Sequence, residues 1–147
     1  MNMTTFNYEE IGNLIRTTSD ETSVYVGSDS QINGSVTDMV TVIIVHFDSK
    51  HGSKIFHIWG RENRRLSMRE RLWREVYASS QAANGIVDYV GMRHMEVHLD
   101  LNPNPRHKSY SIIKEAINYV GGMGFEVRTK PHSAFAATYA ADHILKH

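Results

Sequence analysis

The sequence contains no cysteine in its 147 residues. Disulfide bonds and zinc sites built from thiolates are therefore excluded, and the cytoplasm is the expected compartment. There is no apolar run of about 18 residues, the length that a membrane-spanning helix needs, so no membrane partner is predicted. The opening stretch, MNMTTFNYEE, lacks the basic start and apolar segment of a signal peptide.

An excess of charge of one sign is also missing, because 16 lysines and arginines balance 16 aspartates and glutamates. The chain as a whole is not expected to attract nucleic acid, so any such binding must come from a local patch. With 41% hydrophobic residues and only 3 prolines, the composition is that of an ordinary globular protein. This length and composition predict a single domain over residues 1–147.

Hydrophobic periodicity predicts alternating strands and helices. Strands are expected within residues 23–31, 39–47, 54–60, 95–101 and 125–129, and helices over residues 7–16, 67–83, 108–120 and 133–146. Asn7 is expected to cap the short leading helix, and Ser67 with Glu70 forms a capping box for the first long one. Asn84–Gly85 is the expected end of that helix, and residues 31–38 form the expected connection between the first two strands.

Short connections between the first three strands predict an antiparallel meander, and the later strand–helix–strand units predict right-handed crossovers. The result is an α/β fold: a mixed sheet with helices on both faces. If the fourth strand lies beside and parallel to the first, chain direction switches between them. Ligands of open α/β sheets usually bind at the carboxyl ends of such strands.

Four acidic residues are candidates for a site at that edge. Asp29 ends the first strand, Asp100 ends the fourth, Asp142 lies on the last helix and Glu75 lies on the first long helix. Carboxylates on adjacent strands, about 4.8 Å apart, raise each other's pKa unless a cation lies between them. Oxygen ligands of this kind suit Mg²⁺ or Mn²⁺.

Three of these four acids also have a simpler explanation. Asp29 is well suited to opening a turn, Asp142 to an exposed helix position, and Glu75 to an ion pair with Arg71 four residues earlier. On the same helix Glu70 is already explained by the capping box, which makes Glu75 the better candidate for a metal ligand.

Basic and histidine residues supply further candidates. Six arginines fall within residues 61–74: Arg61, Arg64, Arg65, Arg69, Arg71 and Arg74. They form either a solvated helix face or a patch that contacts phosphates. His98 points the same way as Asp100, and His143 follows Asp142. Each is either structural or able to orient a ligand or move a proton.

Longer stretches of the sequence resemble the ribonuclease H-like superfamily and, within it, the YkuK-like family of predicted nucleases. The stretches are VYVGSDSQ at 24–31, RLWREV at 71–76, EVHLDLNPNP at 96–105 and GGMGFEVRTKPHSAFAATYAAD at 121–142, with Lys146 nearby. The resemblance implies a five-stranded sheet of order 3-2-1-4-5 and metal-dependent cleavage of phosphodiester bonds. It places the acidic roles on Asp29, Glu75, Asp100 and Asp142, with Glu70 as the alternative to Glu75.

The resulting hypothesis is a nuclease that uses two Mg²⁺ or Mn²⁺ ions on RNA, DNA or a hybrid. Residues expected to contact nucleic acid are Ser30, Gln31, Arg64, Arg71, Asn102 and Lys130; auxiliary candidates are Glu70, His98, His143 and Lys146. The alternative is a non-catalytic module of the same fold that binds nucleic acid or a protein.

Overall fold

The computed structural model describes residues 2–101, 106, 110–129 and 136–146. The elements in chain order are β1 (Asn2–Met3), α1 (Tyr8–Thr17), β2 (Ser23–Asn33), β3 (Val36–His46), β4 (Ser53–Glu62), α2 (Met68–Val90), β5 (His94–Leu99), α3 (Tyr110–Gly122), β6 (Glu126–Thr129) and α4 (Ala136–Lys146). A short 3₁₀ turn, Phe47–Ser49, joins β3 to β4. In the described part of the chain, every helix is too short or too polar to span a bilayer.

The strands form one mixed sheet of order β1-β4-β3-β2-β5-β6. Strands β2, β3 and β4 pair antiparallel, whereas β5 is parallel to β2 and β6 is parallel to β5. The predicted order 3-2-1-4-5 corresponds to β4-β3-β2-β5-β6 and is confirmed. The two-residue edge strand β1, which pairs with Gly60 and Arg61, was not predicted because so short a segment carries no periodicity.

The sheet is covered on both faces, as predicted. One face packs against α1, α2 and α3 around a core that contains Val24, Val26, Ile43, Ile86 and Val97. The other packs against α4, in a smaller core formed by Val40, Val42, Ile44, Ala137, Ala141 and Leu145. β2 and β3 lie between the two cores, so their side chains are largely buried on both sides.

The connection predicted over residues 31–38 is wrong, because β2 and β3 continue through most of it. Gln31 pairs with Asp38 and Ile32 with Thr37, which leaves a two-residue turn between the strands. Gly34 lies in this turn with φ of 62°, a conformation that glycine adopts without steric cost. The longer hairpin brings Gln31 and Ile32 into the sheet instead of a loop.

The helix end predicted at Asn84–Gly85 is also wrong, since α2 continues to Val90 and stops before Gly91. Gly85 has a packing role: a Cβ atom there would lie 2.3 Å from a ring carbon of Tyr8. The absence of a side chain lets α1 approach α2. The predicted starts of α1 and α2 are confirmed, because Asn7 accepts a hydrogen bond from the Glu10 backbone and Ser67 with Glu70 forms the capping box. The starts predicted at residues 108 and 133 lie outside the described residues.

Helix α4 lies very close to β2. A Cβ atom on Gly27 would lie 2.8 Å from Cβ of Ala137, so only glycine fits at this crossing. The buried His98 of β5 adds a polar contact, because its Nδ1 atom accepts a 3.2 Å hydrogen bond from the Ala137 backbone N–H. The small side chains of α4 therefore allow this close approach.

Candidate active site

A cleft of about 240 Å³ opens just past the end of β5, beside α2 and Asp29 of β2. Asp29 was expected to end its strand, but β2 continues to Asn33. Its lining contains three of the four predicted acids together with apolar and basic side chains: Asp29, Met68, Arg71, Leu72, Glu75, Asp100, Leu101 and Ile113. The parallel pairing of β2 with β5 places the carboxyl ends of both strands at this edge, as the switch in chain direction predicted.

Asp142 joins this group from α4. Its carboxyl group interacts with that of Asp29, which raises the pKa of Asp29 and lowers that of Asp142. Burial, followed by the contact with Asp142 and the charge of Asp100, raises the pKa of Asp29 to about 7, although a hydrogen bond from the Ser30 backbone acts in the opposite direction. The positive charge near these two carboxyl groups is therefore too small to keep both of them ionised easily at neutral pH.

Lys146 neutralises Asp142 from the following turn of α4. Its ammonium group lies 2.9 Å from the Asp142 carboxylate and, as the strongest influence, holds the pKa of Asp142 below its usual range. His143, next along the chain, is exposed and adds a weaker effect of the same sign.

Glu75 contributes a partly buried carboxyl group to the cleft. Its Oε2 atom accepts a 2.5 Å hydrogen bond from the Ser30 hydroxyl. Burial, with the charges of Asp29 and Asp100 in addition, raises the pKa of Glu75 to about 8 against the lowering effects of Ser30 and Arg71. Two of the four acids are therefore unfavourable as anions in the metal-free protein.

Glu70, the alternative to Glu75, lies outside the cleft lining. Its carboxylate completes the capping box and pairs with Arg64 at 2.5 Å. The Arg64 hydrogen bonds are the largest influence that lowers the pKa of Glu70 to about 2. The geometry thus places Glu75 in the cleft, while Glu70 stabilises the start of α2.

The residues predicted to contact nucleic acid differ in their surroundings. Ser30 and Arg71 bond to each other beside Glu75, and Gln31 donates to the Leu145 carbonyl at 2.9 Å. Asn102 and Lys130 lie outside the described residues.

Most of the arginine run is engaged within the protein. Arg61 binds Asp38, Arg64 binds Glu70, Arg65 donates to the Gly34 carbonyl, Arg71 binds Ser30 and Arg74 lies 3.6 Å from Glu62. For the exposed Arg69, the described residues supply neither a hydrogen bond nor an ion pair. The run is therefore a set of structural contacts with Arg69 directed to solvent.

A second polar group, which we call the strand-start cluster, lies at the opposite end of β5 and β6. It comprises His94, Glu96, His98, Glu126 and Arg128. Ligand atoms of the first two and Glu126 all lie within 4.8 Å of one another. The buried Glu96 accepts from His94 at 2.6 Å and from His98 at 2.9 Å, and Arg128 approaches it at 3.7 Å. Sequence reasoning placed Glu96 on the face of His98 and Asp100 but assigned it no role.

The comparisons with known proteins agree with the fold. A family model described as ribonuclease H-like matches residues 7–146. The chain belongs to the ribonuclease H-like family. The closer likeness to YkuK-like proteins remains a resemblance of sequence.

Among solved structures, the chain is similar to the N-terminal RNase H domain of Rv2228c from Mycobacterium tuberculosis, solved as a fusion with maltose binding protein. The two share 13% sequence identity, with a TM-score of 0.45, over 84% of this chain and 96% of that one. Comparison with curated proteins gives no match.

The cleft residues fit a hard divalent cation. Carboxylate oxygens are the preferred ligands of Mg²⁺ and Mn²⁺, and here they come from two strands and two helices. The raised pKa values of Asp29 and Glu75 show that the protein itself supplies too little positive charge at this point. A bound cation would replace protons as the compensating charge.

Proposed function

We propose that this protein is a metal-dependent nuclease that hydrolyses phosphodiester bonds with two Mg²⁺ or Mn²⁺ ions. The supporting observation is the convergence of Asp29, Glu75 and Asp100 on one cleft, with Asp142 interacting with Asp29. Membership of the ribonuclease H-like family is consistent with a nucleic-acid substrate. The fold alone does not determine an activity, so the proposal depends on the site.

Each acid has a stated task in this proposal. Asp29, placed between the other three, would hold both ions; Glu75 and Asp100 would hold one, and Asp142 the other. When bound, the ions supply an activated water and charge stabilisation for the leaving oxygen. The apolar cleft walls, Leu72, Leu101 and Ile113, limit access of bulk water and so strengthen these charge interactions.

The lysine beside Asp142 would keep that carboxyl group ionised. Because the Lys146 ammonium lies 2.9 Å from it, Asp142 is available as an anionic ligand at neutral pH without losing a proton. Asp29 and Glu75 must instead release protons when a cation binds, since their pKa values lie near 7 and 8. We therefore expect metal affinity to rise with pH between about 6 and 8.

The test is a panel of labelled single-stranded, duplex, hybrid and junction substrates, incubated with Mn²⁺, Mg²⁺ or EDTA. The proposal predicts cleavage of at least one class that requires the metal and disappears in Asp29→Asn. Binding of nucleic acid without cleavage, unaffected by EDTA, would instead indicate a non-catalytic module. Cleavage retained by Asp29→Asn would contradict the assignment of the site.

A further inference from the structure

Arg71 uses one edge of its guanidinium to hold a single residue of β2. Its Nε atom donates a 3.0 Å hydrogen bond to the Ser30 hydroxyl, and Nη2 donates one of 2.8 Å to the Ser30 carbonyl. A planar fork that binds the side chain and the main chain of one residue fixes orientation in a way that a lysine ammonium does not reproduce. The contact fixes the backbone immediately after Asp29.

Ser30 transmits this constraint to Glu75. The Ser30 hydroxyl donates to Oε2 of Glu75 at 2.5 Å. Since the same oxygen already accepts from Arg71, its own hydrogen is directed at the carboxylate. Ser30 is only 6% exposed, which leaves water little opportunity to compete for either contact.

The spacing of Arg71 and Glu75 on α2 suggested a simple ion pair between them. In the structure Arg71 donates both of these hydrogen bonds to Ser30, and its charge lowers the pKa of Glu75. One turn further along, the Ser28 hydroxyl bonds Ser79 of α2 at 2.8 Å. Side-chain hydrogen bonds thus join β2 to α2 at successive turns of the helix, and the bond between Ser30 and Glu75 is one of them.

We propose that Arg71 and Ser30 are positioning residues that fix the Glu75 carboxylate in the cleft, where it serves as a ligand of the divalent ion. This inference rests on the proposed nuclease function. It gives Arg71 a different task from the phosphate contact predicted from the sequence, because the Nε–Nη2 edge of its guanidinium is used inside the protein. The hydroxyl of Ser30, which was also predicted to contact nucleic acid, is likewise used inside the protein.

Arg71→Lys distinguishes positioning of Glu75 from a phosphate contact, since lysine keeps the positive charge but cannot make the two hydrogen bonds of the planar guanidinium. For a positioning residue we expect Mn²⁺ affinity, measured by calorimetry, and kcat each to fall about 10- to 100-fold, the usual cost of losing a residue that orients a metal ligand. KM for the substrate should change less than about twofold because binding of the phosphates is intact. A variant with wild-type Mn²⁺ affinity and kcat would overturn the proposal.

Ser30→Ala tests whether the two residues act along one path. It should lower Mn²⁺ affinity as Arg71→Lys does, and the double variant should be no worse than the more impaired single variant. Effects on Mn²⁺ affinity that multiply would mean that Arg71 and Ser30 act separately, which contradicts the proposal.

Arg69→Ala provides the matched comparison on the same helix. An arginine that contacts phosphate is expected to affect KM and the salt dependence of binding, with Mn²⁺ affinity unchanged. If Arg71→Lys and Arg71→Ala show only this same pattern, Arg71 is a substrate contact and the positioning role is wrong.

Failure of the proposed function can be recognised separately. If the wild-type protein binds Mn²⁺ but cleaves none of the substrates, the Mn²⁺ affinities of the variants still decide the positioning role. If it binds no Mn²⁺, the nuclease proposal fails. Denaturant unfolding of the metal-free Arg71→Lys, Glu75→Gln and double variants then tests whether Arg71 positions Glu75. Losses of unfolding free energy that do not add in the double variant support this role, and losses that add exclude it.

Discussion

Asp29 and Glu96 lie on the same face of neighbouring parallel strands, and their surroundings shift their pKa values in opposite directions. Tyr25 of β2 pairs in register with Glu96 of β5, and Asp29 follows Tyr25 by four residues, about 13 Å along the strand. Burial alone would raise the pKa of Glu96, but hydrogen bonds from His94 and His98 hold it below the ordinary value. The pKa of Asp29 is raised to about 7.

The difference lies in what compensates each buried carboxyl group. Around Glu96 the fold supplies two imidazoles and the Arg128 guanidinium. Around Asp29 it supplies Asp100 and Asp142, which are further acids. A buried acid with protein partners is a structural element, whereas a buried acid among other acids needs a cation from solution. This difference supports the proposal that the metal site is in the cleft and not in the strand-start cluster.

The largest expected effect is the loss of cleavage in Asp29→Asn. Removing the shared ligand should lower the metal-dependent rate by at least about 10³-fold, because metal ions supply several kcal/mol of transition-state stabilisation. Circular dichroism should show an unchanged fold. Gel-based cleavage of the labelled panel measures the rate, and a residual rate within tenfold of wild type would remove Asp29 from the mechanism.

The next effect is a pH dependence of stability in the metal-free protein. An unfolded chain ionises its carboxyl groups near pH 4, whereas folded Asp29 and Glu75 keep their protons to about pH 7 and 8. Between these limits the folded state binds more protons, so stability falls as pH rises from about 4 to about 8 and is level above that. For Glu75 the fall is on the order of 5 kcal/mol.

Glu75→Gln and added Mn²⁺ are the controls for this pH dependence. The variant should lose a large part of the decline, and Mn²⁺ at pH 8 should restore stability to the wild-type protein because it binds the ionised carboxylates. Urea unfolding at several pH values measures both. A wild-type stability that is flat from pH 4 to 8 without metal would show that these carboxyl groups are not protonated in the folded protein.

Glu96→Gln should lower the stability of the protein and leave its cleavage activity unchanged, the reverse of what is expected for Asp29→Asn. It replaces a charged acceptor of two histidine hydrogen bonds by a neutral one, which costs about 1.5 to 3 kcal/mol of unfolding free energy. Since Glu96 lies about 13 Å from Asp100 along β5, metal-dependent cleavage per folded molecule should stay near wild type. A loss of cleavage as large as that of Asp29→Asn would show that the two regions are one site.

The smallest expected effect belongs to Lys146→Ala. The Lys146 and Asp142 side chains are 62% and 40% exposed, so their ion pair should contribute at most about 1 kcal/mol to stability. Relative to the wild-type protein, Lys146→Ala should weaken Mn²⁺ binding more at pH 6 than at pH 8, because Asp142 without its lysine holds a proton more firmly. Equal weakening at both pH values would contradict this role for Lys146.

The element types and the antiparallel meander could be predicted because short turns and the change from two-residue to helical periodicity are local signals, whereas the full sheet order was implied by the family resemblance. Residues 39–47 and 95–101 lie close to the observed β3 and β5. The end of α2 could not be predicted, since Gly85 resembles a helix stop and its contact with Tyr8 is distant in sequence. The strand β1 depends on its partner β4 alone.

The site was predictable as a set of acids and much less as a set of contacts. Strand ends pointed to Asp29 and Asp100, and the capping box at Glu70 left Glu75 as the cleft residue. The hydrogen bonds of Ser30 to Arg71 join residues 41 positions apart, which no local pattern reveals. For the same reason the sequence could not show that His98 supports α4 through Ala137.

Crystals soaked in Mn²⁺ and measured at the manganese absorption edge would test the central claim most directly. The account predicts two anomalous peaks in the cleft among Asp29, Glu75, Asp100 and Asp142. No peak is expected beside His94, Glu96 and Glu126, where Arg128 already provides the positive charge. An empty cleft, or a single peak at the strand-start cluster, would contradict it.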